Sequence, residues 1–84
     1  MDILFHKQAL EDYNYFKNKK PEIYNKINIL LNDIVLNNYD GLGKPEPLKY
    51  NLSGYWSRRI NQEHRLVYHI KNNCIYVIQC KFHY

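Results

Sequence analysis

Residues 40–47 read Asp40-Gly41-Leu42-Gly43-Lys44-Pro45-Glu46-Pro47, the only Gly/Pro-rich stretch in the chain. Everything before it has helical spacing and everything after it has strand character, so this stretch decides the fold class. Upstream, Ile23, Ile27, Leu30, Leu31 and Ile34 recur at i, i+4, i+7, i+8 and i+11. That spacing is one apolar face of a helix. Pro21 suits its first turn, with Glu22 at the positive end of the helix dipole, and Asn37-Asn38 and Asp40-Gly41 end it. An earlier helix spans 7–18, with Ala9, Leu10, Tyr13 and Phe16 on one face, and Asn18-Lys19-Lys20-Pro21 breaks it. Ile3-Leu4-Phe5 fits either a short first strand or the lead-in to that helix.

Downstream, 55–60 alternates, with Trp56, Arg58 and Ile60 on one side and Tyr55, Ser57 and Arg59 on the other. Asn61-Gln62-Glu63 reads as a turn. Segments 64–70 and 74–82 are rich in β-branched and aromatic residues, and Asn72-Asn73 supplies a two-residue hairpin turn. The expectation is an α+β fold, with two N-terminal helices packed on one face of an antiparallel β-sheet. The 84 residues make one domain, 1–84, and the 40–47 stretch is too short to separate two.

Charge divides at the same place. Residues 1–40 carry five lysines against six acids, a balance of −1. Residues 41–84 carry Lys44, Lys49, Arg58, Arg59, Arg65, Lys71 and Lys81 against Glu46 and Glu63, a balance of +5. The second half therefore suits a polyanion, most often nucleic acid. Lys49, Arg58, Arg59 and Arg65 are the candidate phosphate contacts, arginine being suited to bidentate contact and to developing negative charge. With 45% hydrophobic and 24% charged residues the composition excludes a disordered or low-complexity chain, and no apolar run is long enough for a transmembrane helix. The start, Met1-Asp2-Ile3, lacks a basic-then-apolar leader, so a cytoplasmic protein is expected. Cys74 and Cys80, if in one strand, lie about 20 Å apart, too far for a bridge. His6, His64, His69 and His83 lack zinc-like spacing, and no metal or cofactor is expected. His64 reads as a strand-edge residue and His69 as mid-strand.

Two places could carry chemistry. Glu46 is flanked by Pro45 and Pro47, which restrict the backbone around it, so its carboxylate can act as a general base or as an ion-pair partner. The C-terminal Lys81-Phe82-His83-Tyr84 brings an imidazole able to donate or accept a proton near neutral pH. A two-residue turn at 72–73 sets Arg65 opposite Cys80, and strict alternation then sends His83 to the other face. Arg65 and His83 converge only if the chain bulges or bends, or the turn is longer.

Three runs and the chain end resemble a known family. Gly43-Lys44-Pro45-Glu46-Pro47-Leu48-Lys49, then 51–60 (Asn-Leu-Ser-Gly-Tyr-Trp-Ser-Arg-Arg-Ile), then Glu63-His64-Arg65-Leu66-Val67-Tyr68, and the final His83-Tyr84, resemble the YoeB toxins of the RelE-like superfamily. The resemblance implies a RelE-like, microbial-RNase-type fold. It also implies a ribosome-dependent endoribonuclease that cuts mRNA in the A site without a metal, is neutralised by a YefM-like antitoxin, and forms a homodimer. The antitoxin is expected to bring an acidic, partly disordered segment over the basic face. By the same resemblance Glu46 is the general base, Arg65 stabilises the phosphate, His83 is the general acid, Tyr84 helps to shape the site, and Lys49 and Arg59 contact RNA or stabilise charge. The alternative is a non-nucleolytic toxin of the same fold, such as a gyrase poison, or an RNA-binding module. A pure binder has no need of Glu46, Arg65 and His83-Tyr84 together.

Overall fold

The computed structural model describes residues 1–83. Among them the element order is β1 (Asp2–Phe5), α1 (Lys7–Lys19), α2 (Pro21–Asn37), β2 (Glu46–Pro47), a 3-10 turn (Tyr50–Leu52), β3 (Trp56–Arg59), β4 (Arg65–Lys71) and β5 (Cys74–Gln79). The strands form one sheet in the order β1-β5-β4-β3-β2. The expected α+β class is present, with one difference. The sheet is mixed, because β1 runs parallel to β5 while every other pair is antiparallel. Two helices separate β1 from the other strands, and that long connection is what a parallel pairing needs.

The core lies between the helices and one face of the sheet. Ala9 and Phe16 of α1 and Ile27, Leu30, Leu31 and Ile34 of α2 pack with Leu66, Tyr68, Ile75 and Val77. Pro21 occupies the first turn of α2, and Asn38, at φ +56°, ends it. Leu10, expected on the inner face of α1, is 44% exposed. Cys74 and Cys80 are buried free thiols. The Cys80 thiol donates to the Ala9 carbonyl, and burial pushes its pKa up to about 12, so it stays protonated. Asn72 and Asn73, at φ +53° and +58°, make the two-residue hairpin turn. No helix among the described residues is long and apolar enough to cross a membrane.

Arg58 corrects an expectation. The charge pattern of the sequence puts it among the phosphate-contacting cations, but it is 0% exposed. Its Nη1 pairs with Asp33 and donates to the Leu42 carbonyl, Nη2 donates to the Asn38 and Asp40 carbonyls, and Nε donates to the Tyr68 hydroxyl. The Leu42 amide, then the Arg58 guanidinium, hold the Asp33 carboxyl below its usual range. Buried cations persist only when paired and hydrogen-bonded. Arg58 therefore fastens the 38–42 loop to the sheet. Gly43 follows at φ +78°, and its carbonyl accepts from Arg59 N–H at 2.6 Å. A Cβ there would lie 2.9 Å from Leu30 Cδ2 and 3.0 Å from the Arg59 carbonyl oxygen, so the close approach of loop to strand needs glycine.

Candidate functional site

The face of the sheet away from the helices is built in rows. Cross-strand partners point to the same face, and residues two apart on a strand share it. Glu46 pairs with Ser57, Ser57 with Val67, and Val67 with Gln79. Arg59 pairs with Arg65 two residues further along. The candidate base thus sits two strands from Val67, about 10 Å away, and the paired arginines lie about 7 Å to one side of its row. Glu46 belongs to a two-residue strand that the Gly/Pro-rich run had concealed. The chain leaves the clasped 38–42 loop, passes Gly43, and pairs with β3 at once.

Lys49 lies just beyond β2 and lines, with Glu46, Pro47, Leu48 and Tyr50, a groove of about 360 Å³. Arg59 and Arg65 line a second groove of about 670 Å³ at the end of the sheet. Lys26 of α2 and Lys44, at φ +51°, also line it. Charge counting places Lys44 in the basic half, but only the packing of α2 brings Lys26 there.

The Arg65–His83 question has a structural answer. In the β4–β5 ladder Tyr68 pairs with Val77 but Val67 pairs with Gln79, so one extra residue, Ile78, is accommodated in β5. This bulge re-aims the chain beyond it. Strand β5 ends at Gln79 rather than at residue 82, and Phe82 turns at φ +62°. Arg65 N–H donates to the Phe82 carbonyl at 3.1 Å. The His83 ring then reaches the 61–64 turn, where Nε2 lies 3.0 Å from the Gln62 carbonyl oxygen. A carbonyl only accepts, so Nε2 carries the proton in this contact. Arg65 Nη1 donates to the same oxygen at 3.3 Å and to the Asn61 carbonyl at 2.6 Å. The turn itself is shaped by Asn61, whose Oδ1 accepts from the Glu63 and His64 amides.

Two further side chains hold this end of the chain. Gln79 Nε2 donates to the carbonyls of Lys81, Phe82 and His83, at 2.9, 3.3 and 3.0 Å. His64, expected at a strand edge, is only 4% exposed. Its ring lies between Phe16 and Phe82, and its Nδ1 accepts the Phe82 N–H at 2.8 Å. Burial pushes the His64 pKa down, which suits a ring nitrogen that must remain an acceptor. Neither role was legible in the sequence, because both partners come from the chain end. Tyr84 lies outside the described residues.

With this arrangement in view, the comparison with known proteins is specific. The family described as a YoeB-like toxin of bacterial type II toxin-antitoxin system matches residues 5–84. The chain belongs to the YoeB toxin family. It is 50% identical to the Toxin YoeB of Synechocystis over 84 residues, covering 100% of this chain and 98% of that one. Among solved structures, the toxin chain of a YoeB-YefM complex from Staphylococcus aureus superposes with a TM-score of 0.95 at 52% identity, covering 100% of this chain and 98% of that chain. A YoeB dimer from Staphylococcus aureus superposes at 0.94, also with 52% identity and the same coverage. In this YoeB-family chain, the bulge at Ile78 and the contacts made by Gln79 and His64 are what bring the terminal histidine to Arg65.

Proposed function

We propose that this protein is a ribosome-dependent endoribonuclease that cleaves mRNA in the A site by acid–base attack of the RNA 2′-hydroxyl, and so inhibits translation in the cytoplasm. Glu46 takes the 2′-hydroxyl proton. The 2′-oxygen attacks the adjacent phosphorus, and the bond to the 5′-oxygen breaks as that oxygen takes a proton from His83. The products are a 2′,3′-cyclic phosphate and a 5′-hydroxyl. Arg65, with Arg59 and Lys49, balances the charge that builds on the phosphoryl oxygens. The family resemblance adds Tyr84 as a residue that helps to shape the site.

The observation that carries the reading is the meeting of Arg65 and His83 at the Gln62 carbonyl. It sets a proton-bearing imidazole beside a guanidinium, at the end of the sheet whose open face carries Glu46. In the absence of substrate the His83 Nε2–H is held by the Gln62 carbonyl. Exchanging that acceptor for the leaving oxygen is a short movement of one exposed ring. Few groups here could select a sequence, which favours positioning of the RNA by the ribosome. A YefM-like antitoxin and a homodimer are proposed as partners, as in the Staphylococcus aureus complex and dimer.

The test is cleavage mapping of mRNA on programmed ribosomes and on free RNA, with wild type and His83→Gln. Ribosome-dependent cuts with new 5′-hydroxyl ends, lost in the variant, are expected. Equal cleavage by the variant would remove His83 from the mechanism, and absence of cleavage by wild type would remove the nuclease.

A further inference from the structure

Beside the Glu46 row, two residues along the same strands, the open face carries a row of rings. Tyr55 precedes the Trp56–Tyr68 pair by one residue and so stands opposite His69, and His69 pairs with Tyr76. The His69 ring stacks on Tyr76 with centroids 4.9 Å apart and planes 15° apart. Tyr55 meets His69 edge-on, at 4.9 Å and 77°. The chain has another ring stack, Tyr39 on Trp56 and Tyr68, but Tyr68 there is sealed in the core. Tyr55, His69 and Tyr76 are each only half-buried, on the face that carries Glu46.

The surroundings favour a polyanionic ligand with flat groups. The aromatic row lies about 7 Å from the Glu46–Ser57–Val67 row, one side-chain step along the strands. Lys49 follows Leu48, whose N–H donates to the Tyr55 carbonyl at 2.9 Å. Lys71 lies two residues beyond His69 on the same strand and face. Burial, with Lys71 adding to it, pushes the His69 pKa down, which favours the neutral ring. Unpaired bases stack on such rings while cations hold the backbone.

We propose that Tyr55, His69 and Tyr76 form a stacking platform for one unpaired base of the RNA, next to the nucleotide whose 2′-hydroxyl lies at Glu46. The platform rests on the ribonuclease reading above. It adds a binding subsite on the opposite side of Glu46 from the Arg59–Arg65 pair, so that the strand crosses the sheet from rings to arginines. Cross-strand ring pairs also stabilise a sheet, and the experiment must separate that effect from base binding.

The experiment is an abasic scan. Ribosomes are programmed with a short mRNA carrying one abasic nucleotide at each position in and beside the A-site codon. A 2′-deoxy version of each measures toxin binding, and the ribose version measures cleavage. Wild type is expected to bind one abasic position about 5- to 100-fold more weakly than intact RNA, the others being little changed. His69→Ala/Tyr76→Ala should bind intact RNA about as weakly as that abasic RNA, and should no longer respond to the missing base. Tyr76→Phe, which keeps the ring, should keep the position-specific response to the missing base. If the double variant fails to fold, the wild-type scan with Tyr76→Phe and Tyr55→Ala decides the matter. A flat wild-type scan with normal cleavage would overturn the platform and leave the nuclease standing. Position-specific base dependence without cleavage would overturn the nuclease and keep the platform. If the alanine variants change only self-association, with base dependence intact, the rings belong to a contact between copies and the platform is wrong.

Discussion

Arg65 and His83 share one hydrogen-bond acceptor, the Gln62 carbonyl oxygen, at 3.3 and 3.0 Å. They are 18 residues apart and lie on different sides of a hairpin, and the shared oxygen belongs to neither strand. The contact depends on the bulge at Ile78, on the left-handed turn at Phe82 and on the Gln79 amide, and each can be tested separately.

On the proposed mechanism, His83→Gln should remove the chemistry and little else. His83 is exposed, so His83→Gln should leave thermal stability within about 0.5 kcal/mol of wild type. Single-turnover cleavage on programmed ribosomes should fall by about 10²- to 10⁴-fold. Glu46→Gln should cost a similar factor. A rate within a few-fold of wild type for either variant would refute its role.

Gln79→Ala separates positioning from chemistry. The variant loses the donor to the carbonyls of Lys81, Phe82 and His83 while every reacting group remains. Stability should fall by about 1 kcal/mol. Cleavage should fall about tenfold, equivalent to about 1.4 kcal/mol of barrier. Amide exchange at 81–83 should rise in parallel, and unchanged exchange with a lowered rate would point to a direct role for Gln79.

Arg58 should behave as a structural residue. Arg58→Met leaves the Asn38, Asp40 and Leu42 carbonyls without this donor, and the expected loss of stability is at least about 2 kcal/mol. Denaturant unfolding measures it. A variant as stable as wild type but weaker in RNA binding would return Arg58 to the phosphate-contacting set.

His64 makes the chain end sensitive to acid. Its folded pKa lies below the ordinary 6.5, so the neutral ring is the form that folding favours. The stability that this contributes is fully present above pH 6.5 and is lost as pH falls through the lowered folded value. Protonation of Nδ1 removes the acceptor for the Phe82 amide. Melting temperature should therefore drop below pH 6.5 more steeply in wild type than in His64→Gln. Parallel curves would show that this ring does not couple folding to pH.

Much of the fold and part of the candidate set were legible in the order of the residues. The spacing from Ile23 to Ile34 pointed to a helix with one apolar face, and Asn72-Asn73 offered a two-residue turn, because both signals are local to their own segment. Glu46, Arg65 and His83 were legible as a set only through the family resemblance, since by residue type alone each also suits an ordinary surface role. Arg58 was partly legible too, since alternation put it on the side of Trp56 and Ile60, which is the core side. Tertiary structure alone decided that Asp33 and the 38–42 carbonyls would meet it there, turning a candidate RNA contact into a buried clasp. It also decided the parallel pairing of β1 with β5, the groove shared by Lys26 and Arg59, and the contact of His83 with Arg65. A bulge of one residue has no compositional signature, and its effect on facing is set by which partner strand it occurs against. Such relationships arise between segments far apart in the chain, so periodicity within either segment does not carry them.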